Sequence, residues 1–129
     1  MLPLRYARRW QAAGIAVLVL VLGATLTPDF GIQELAMMPS DKWQHGVTFA
    51  FLTVWFCGQY GPRSYWRVSL GMLAFGAFIE LCQRMLTYRS AESLDLLADA
   101  IGIGVGLAIA AAGAGGWSLR LEDWLAARR

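Results

Sequence analysis

Four long stretches without a charged residue constrain this chain more than any other feature. They cover residues 10–28, 46–62, 68–79 and 100–119, and short charged segments separate them. A helix needs about 20 predominantly apolar residues to cross the hydrocarbon core of a bilayer. Hydrophobic residues make up 57% of the chain and charged residues only 16%, so these stretches leave almost no polar positions to face water. The pattern therefore disfavours a water-soluble helical bundle.

The sequence predicts an all-α fold, a four-transmembrane-helix membrane bundle that forms one domain over residues 1–129. We place the spans at about 10–27, 44–60, 66–87 and 94–116. Pro28 and Pro62 lie at predicted helix ends, where proline is tolerated. The first span follows several arginines and so also resembles a signal peptide. We expect a retained helix instead, because Leu26 and Thr27 extend its apolar stretch.

Basic residues predict how the helices are oriented in the membrane. Eight of the eleven lysines and arginines flank the spans on one side, namely Arg5, Arg8, Arg9, Arg63, Arg67, Arg120, Arg128 and Arg129. Lys42, Arg84 and Arg89 fall on the other side. Cytoplasmic segments of membrane proteins are enriched in Lys and Arg, so we expect a multi-pass protein of the cell membrane with both termini in the cytoplasm. Because topology explains these basic flanks, they do not indicate a nucleic-acid partner.

The C-terminal segment predicts a short amphipathic helix. Its apolar face consists of Trp117, Leu121, Trp124 and Leu125. The polar residues that we expect to point away from this face are Arg120, Glu122 and Asp123. A helix of this kind typically lies in the plane of the membrane surface, with its apolar face in the lipid. We therefore expect it on the cytoplasmic surface.

Ionisable and polar residues recur inside or at the edges of the predicted spans. The candidate catalytic residues are His45, Glu80, Asp95 and Asp99, and the candidate substrate-binding residues are Asp41, Lys42, Gln83, Arg84 and Arg89. A charge in the hydrocarbon region costs roughly 2.5–3.5 kcal/mol on insertion scales, so such residues usually face the bundle interior and serve a function. The second and fourth spans begin on the outer side, and the third ends there. Alternation of the spans therefore predicts one polar pocket in the outer third of the membrane.

The side chains of this set are compatible with more than one kind of chemistry. His45 and Glu80 could act as a general acid and base. Zinc usually takes more His or Cys ligands, whereas Asp95 and Asp99 would suit Mg²⁺ or Ca²⁺. No ligand spacing here is diagnostic, so we predict no cofactor and leave a divalent metal as an open alternative. A second alternative is structural, because the arginines of the set could pair with its carboxylates and only brace the helices.

Glycines follow the polar residues of the fourth span on the same helix face. Gly102 and Gly106 are four residues apart and follow Asp95 and Asp99, which are also four residues apart, on the same side of the helix. Small residues at this spacing are typical of close contact between membrane helices. We predict that a neighbouring helix packs there, and oligomer formation through small-residue helix faces stays open.

Two groups of these residues carry a resemblance to a known family. Asp41-Lys42-Trp43-Gln44-His45, with Phe49 and Leu52, resembles the DKxxHxxxFxxL signature of the VanZ-like family. A second family signature is similar to Glu80, Gln83, Arg89, Asp95, Asp99, Gly102 and Gly106 in their order and spacing. The resemblance covers about the central 65 residues. The family commonly has Asn where this chain has Asp99, so this chain carries an additional acidic group at that position.

The resemblance implies a small integral membrane protein of the cell envelope. The founding member of the VanZ-like family is associated with low-level resistance to the glycopeptide teicoplanin, and the biochemical activity of the family is not established. We expect a protein that binds or modifies a lipid or a lipid-linked envelope precursor at the outer pocket. The alternative is a structural or partner-binding membrane subunit whose polar cluster only braces the helices. Transport is disfavoured, because the inner half of the spans lacks polar residues.

Overall fold

A computed structural model describes residues 1–27, 41–86 and 93–128, with the side chain of Asp41 excepted. These residues form helices and connecting turns, with no strand among them. The helices are α1 (Ala7–Leu26), α2 (Asp41–Cys57), a 3-10 turn (Pro62–Ser64), α3 (Tyr65–Arg84), α4 (Ser93–Ile109) with a π-helical extension (Ala110–Ala114), and α5 (Trp117–Ala127). The all-α class predicted from the sequence is confirmed.

The four predicted spans correspond to α1 to α4, with shifts of a few residues at the ends. The second helix starts and ends three residues earlier than the predicted span 44–60. It ends there because the chain turns at Gly58, whose amide still bonds back to the Val54 carbonyl at 3.0 Å. The third helix ends at Arg84 rather than at residue 87, and the predicted fourth span includes the π-helical turn after Ile109.

Helices α2 and α4 run parallel and pack closely through glycines. A methyl group on Gly102 would overlap the carbonyl oxygen of Gly46, and one on Gly106 would approach the Ala50 carbonyl oxygen to 2.7 Å. Just beyond the end of α2, the hydroxyl of Ser118, at the start of α5, donates to the carbonyl oxygen of Gly58. The predicted close contact at the two glycines of α4 is therefore present, and its partner is α2.

Helix α1 runs antiparallel to α2 and parallel to α3. Its beginning lies beside the end of α2, where the Leu2 amide donates to the Gln59 carbonyl at 2.9 Å. Its last turn lies beside the last turn of α3, where the Gln83 side chain donates to the Thr25 carbonyl at 3.2 Å. The last turns of α1 and α3 and the start of α2 lie at one end of the bundle, which we call the His45 end. The opposite end is the Trp117 end.

Large apolar side chains cover the outside of the bundle as well as its core. The core contains Phe49, Leu52, Cys57, Val68, Met72, Ile79, Ile103 and Ala110. Exposed apolar side chains include Ile15, Val19, Leu20, Phe51, Leu70, Phe78, Ile101 and Val105. Among the described residues, three helical stretches are long and apolar enough to cross a membrane: Ala7–Leu26, Pro62–Arg84 and Ser93–Ala127. An apolar outer surface of this extent fits a lipid environment better than water.

The C-terminal helix folds back onto the start of α1, and this part of the prediction needs a correction. Gly113 and Gly116 have positive φ angles of 127° and 69°, which separate α5 from α4. The apolar residues Leu121, Trp124 and Leu125 are exposed, as their amphipathic pattern predicts. Glu122, however, is buried rather than directed outward with the other polar residues. The prediction was wrong at Glu122 because the periodicity of α5 cannot show that the start of α1 needs a hydrogen-bond acceptor.

Glu122 caps the beginning of α1. Its carboxylate accepts hydrogen bonds from the Arg5 amide at 2.6 Å, the Tyr6 amide at 3.1 Å and the Trp10 indole at 2.7 Å. Tyr6, the N-cap residue, makes no side-chain capping bond of its own, so a carboxylate from another helix takes that role. Burial acts to raise the pKa of the Glu122 carboxyl. These hydrogen bonds and the positive charge of Arg5 outweigh burial and hold the pKa below its ordinary value.

Candidate functional site

A buried pair of ionisable side chains joins α2 to α4 at the His45 end. The Nδ1 atom of His45 lies 2.9 Å from the Oδ1 atom of Asp99, and the two side chains are only 8% and 2% exposed. The parallel register set by the contact of Gly46 with Gly102 places both residues at the same level of the bundle. Two residues that are 54 positions apart in the sequence therefore meet inside the helix bundle.

Asp99 fits between three helices because Gly76 of α3 has no side chain. A Cβ atom built on Gly76 would lie 2.6 Å from the Oδ2 atom of Asp99 and 3.3 Å from the Phe49 ring. One carboxylate oxygen of Asp99 thus faces His45, and the other approaches the backbone of α3. The orientation of the carboxylate is therefore fixed by contacts with α2 and α3 as well as by its own helix, α4.

A cavity of about 150 Å³ adjoins this pair, between α1, α2 and α3. Among the described residues its lining is Val21, Ala24, Thr25, Gln44, His45, Thr48, Phe49 and Gln83. Apolar groups form part of the wall, and His45 with neutral hydroxyl and amide side chains forms the rest. A site of this size accommodates several water molecules or a small polar group of a larger ligand.

Gln83 is the polar side chain of α3 that lines the cavity. Only 3% of the residue is exposed, and its Nε2 atom donates to the Thr25 carbonyl oxygen at 3.2 Å. Its Oε1 atom is buried and has no hydrogen-bond donor among the described residues. The amide orientation follows from its neighbour, because turning the amide over would place two carbonyl oxygens against each other.

Glu80 and Arg84 form a separate pair on α3. The Nη2 atom of Arg84 lies 3.2 Å from the Oε1 atom of Glu80, one turn away on the same helix. The Arg84 side chain is 61% exposed and that of Glu80 is 10% exposed. Neither residue belongs to the described lining of the cavity. Of the polar residues expected in one pocket, the structure therefore brings His45 and Asp99 together, whereas Glu80 contacts the arginine of its own helix.

The remaining sequence-predicted residues are distributed around this centre. Asp95 is buried on α4 one turn beyond Asp99, towards the helix start, and Lys42 is half-buried on the first turn of α2. Asp41 is the first residue of α2, but its side chain lies outside the described part of the structure, as does the whole of Arg89. Within the described ranges, no three His, Cys, Asp or Glu side chains come together as a metal-binding group.

Sequence reasoning missed the contribution of α1 and of two residues of α2. Thr25 lines the cavity, yet it lies in a helix with no ionisable residue after Arg9, so nothing in the sequence singled it out. Gln44 and Thr48 also line the cavity. Their positions beside and one turn after His45 are a signal that could have indicated them.

The hydrogen-bonding roles of His45 and Asp99 follow from the ionisation of the carboxylate. An ionised carboxylate can only accept hydrogen bonds, so with Asp99 ionised the Nδ1 atom of His45 is the donor of this contact. In the neutral imidazole this leaves Nε2 as the nitrogen that can take up a proton. A histidine oriented by a carboxylate in this way is a common arrangement for a general base.

No protein-family model, curated protein or solved structure matches this chain. The resemblance to the VanZ-like family therefore depends on the quoted motifs alone.

Proposed function

We propose that this chain is a VanZ-like membrane protein of the cell envelope that binds or modifies a lipid or lipid-linked envelope component in the cavity beside His45. In this proposal α1 to α4 all cross the membrane, both termini are cytoplasmic, and the His45 end faces outward. A connection with glycopeptide resistance is part of the proposal only through the family resemblance.

The contacts between helices support four spans. Helix α2 has 17 residues and is about 25 Å long, somewhat less than the roughly 30 Å hydrocarbon core. It nevertheless packs beside α4, from Asp99, which contacts His45, to Gly106, which faces Ala50. The alternating directions of α1 to α4 bring Arg5, Arg63 and Arg120 to the Trp117 end, which agrees with a cytoplasmic location of that end.

One observation carries the functional proposal: His45, at the cavity wall, is held by Asp99 in an almost fully buried contact. Ionisable residues inside membrane helices are expensive and usually mark a functional site. The oriented imidazole is suited to accept a proton from a hydroxyl or amine group of a ligand in the cavity. If the protein binds its ligand without catalysing a reaction, the same imidazole would position the ligand by hydrogen bonding.

Lipid co-purification tests this proposal. The protein is purified in mild detergent, and the retained lipids are identified by mass spectrometry and compared with the lipids of the source membrane. We expect one amphiphile to be enriched with the unaltered protein and depleted about tenfold in His45→Gln, which lacks the imidazole. Val47→Ala, at an exposed position two residues away, is the matched control and should keep the enrichment. A retained lipid profile identical to the source membrane for all three proteins would refute the proposal.

A purely structural role for the pair is the second candidate, and the close fit of Asp99 against Gly76 favours it. Replacing both partners of a buried ion pair with apolar residues is often neutral or stabilising. The double variant His45→Leu/Asp99→Ala should therefore reach normal folded levels under either candidate. If the pair only braces the helices, the variant also keeps the lipid enrichment. If the pair forms a site, the enrichment is lost.

A further inference from the structure

The cavity beside His45 combines three features that together define the ligand group it can accept. Its described lining is nearly free of charge, one lining residue, Gln83, carries a buried acceptor with no donor among the described residues, and its volume is small. The inference below rests on the proposed function, because it specifies the ligand of the same site.

The lining residues that the structure describes provide no fixed charge to compensate a charged ligand. Among the described lining residues His45 is the one ionisable group, and its imidazole already faces the Asp99 carboxylate. Arg84, the nearest described cation on α3, is exposed and paired with Glu80. Among the described lining residues a phosphate would therefore find no arginine or lysine partner, and an unpaired charge in a desolvated site is costly.

An ammonium group would be equally poorly matched. The described lining contains no carboxylate, and Asp99 directs its two oxygens to His45 and to the backbone at Gly76. A buried cation needs an opposite charge or several acceptors in good geometry. The lining therefore favours an uncharged ligand group.

Gln83 shows which kind of uncharged group is needed. Its Nε2 atom is committed to the Thr25 carbonyl, and its buried Oε1 atom has no donor among the described residues. A buried carbonyl oxygen without a donor costs about 1–3 kcal/mol, and nearly all such atoms in native proteins are satisfied. The Thr25 hydroxyl donates to the Leu22 carbonyl at 2.9 Å, so its oxygen also remains able to accept. Both atoms call for an O–H donor.

We propose that the cavity binds an uncharged, hydroxyl-bearing head group, such as the sugar of a glycolipid, with Gln83 Oε1 accepting a hydrogen bond from a ligand hydroxyl. The volume of about 150 Å³ limits the bound part to a portion of the head group. The acyl chains remain in the surrounding lipid.

Native mass spectrometry with defined lipids tests the inference. The probes share identical acyl chains and are monoglucosyl-diacylglycerol, phosphatidylcholine, which has no hydrogen-bond donor, and phosphatidic acid, which is anionic. We expect the glucosyl lipid to bind at least tenfold more tightly than phosphatidylcholine. Phosphatidic acid can also bind at the basic flanks of the helices. For this lipid the decisive quantity is therefore the change in binding when Gln83 is substituted, and not the total amount bound.

Two glutamines provide a matched pair of variants. Gln83→Leu should weaken binding of the glucosyl lipid about tenfold, because the acceptor is lost. Gln59→Leu makes the same change at a buried glutamine at the Trp117 end and should leave binding unchanged. Gln83→Met, which keeps an unbranched side chain, serves if the leucine variant does not fold. Free glucose added as a competitor distinguishes a soluble sugar from a lipid-borne one: displacement by millimolar glucose indicates the soluble source.

The outcomes separate this inference from the proposed function. A glucosyl lipid that binds no better than phosphatidylcholine, or equally well to the unaltered protein and both Gln83 variants, overturns the inference. If one of the other lipids then binds in a manner that depends on His45, the proposed function stands with a different ligand class. If no lipid binding depends on either His45 or Gln83, both are overturned.

Discussion

At the scale of single residues, one absent methyl group decides whether Asp99 can lie between three helices. Gly76 lies on α3 opposite the Asp99 carboxylate, with the Phe49 ring beside it. Its Oδ1 atom lies 2.9 Å from Nδ1 of His45, so a shift of the carboxylate away from Gly76 would disturb that contact. The site is therefore sensitive to a residue that carries no chemistry of its own.

We predict that Gly76→Ala destabilises the protein by about 1–3 kcal/mol, as overpacking of a close contact usually does. Its Cβ atom would lie 2.6 Å from Asp99 Oδ2. Gly71→Ala on the same helix is the control, because a Cβ there meets nothing within 4 Å and alanine is the better helix former. Thermal unfolding in detergent, followed by circular dichroism, measures both. Equal unfolding temperatures for the two variants would contradict the described position of Asp99.

At the scale of helices, the contact between α2 and α4 depends on glycines at two levels. Their backbones approach so closely that a side chain at Gly102 would meet the backbone of Gly46. Such proximity is typical of small-residue packing in membrane helices, where dispersion contacts and interhelical hydrogen bonds replace the hydrophobic effect. This contact sets the register that unites His45 with Asp99.

Alanine substitutions along α4 test that contact with an internal control. Gly102→Ala and Gly106→Ala should each cost about 1–3 kcal/mol, because each added methyl group overlaps α2. Gly104→Ala should be neutral or slightly stabilising, since nothing lies within 4 Å of its Cβ position. Unfolding of the three variants under the same detergent conditions gives the comparison. A cost at Gly104 equal to that at its neighbours would show that glycine is needed for flexibility rather than for packing.

The cap formed by α5 on α1 has a predictable pH dependence. Because the pKa of Glu122 is lower in the folded chain than in the unfolded chain, its stabilising contribution is complete at neutral pH. As the pH falls below the ordinary carboxyl range, the unfolded chain binds a proton first. The contribution is then lost progressively, until the pH has fallen through the lower pKa of the folded state.

We predict that Glu122→Gln costs about 1–2 kcal/mol at neutral pH, because charge-assisted hydrogen bonds to the start of α1 become weaker. The difference from the unaltered protein should shrink towards pH 3. Asp123→Asn removes a neighbouring exposed carboxylate and is the control, with little expected effect. Denaturation midpoints measured between pH 3 and 7 test this. A constant difference over that range would show that the charge of Glu122 does not contribute.

At the scale of the whole molecule, the two ends of the bundle have different characters. At the Trp117 end, the start of α1, the end of α2 and the start of α5 contact one another through Trp10, Trp55 and Trp117, whose ring centroids are 5.2–6.1 Å apart. The His45 end holds the buried contact of His45 with Asp99 and the cavity. Tryptophan is enriched at membrane interfaces, so the aromatic cluster agrees with an interfacial position of the Trp117 end.

Cysteine labelling tests the proposed orientation. In a background with Cys57→Ala and Cys82→Ala, single cysteines introduced at Gly31 and Glu92 should react with an impermeant reagent in intact cells. Both positions lie outside the described residues, so this prediction depends on the sequence. Cysteines at Arg63 and Arg120 should react only after the membrane is opened. The opposite pattern would place the His45 end in the cytoplasm and remove the outward-facing cavity.

The sequence by itself determined the helical class, the approximate position of each helix and the membrane-compatible character, because these depend on local length, apolarity and spacing. It also indicated that His45 and Asp99 belong to one end of the bundle, since alternating helix direction requires it. Only the tertiary structure decided that His45 meets Asp99 and that Glu80, whose contact with Arg84 one turn away is local, is not part of that pair. The glycine contact between α2 and α4 selects that pairing, and contacts between helices distant in sequence leave no local pattern. Likewise, Thr25 joins the cavity and Glu122 is buried because other helices lie against them, which periodicity along one helix cannot reveal.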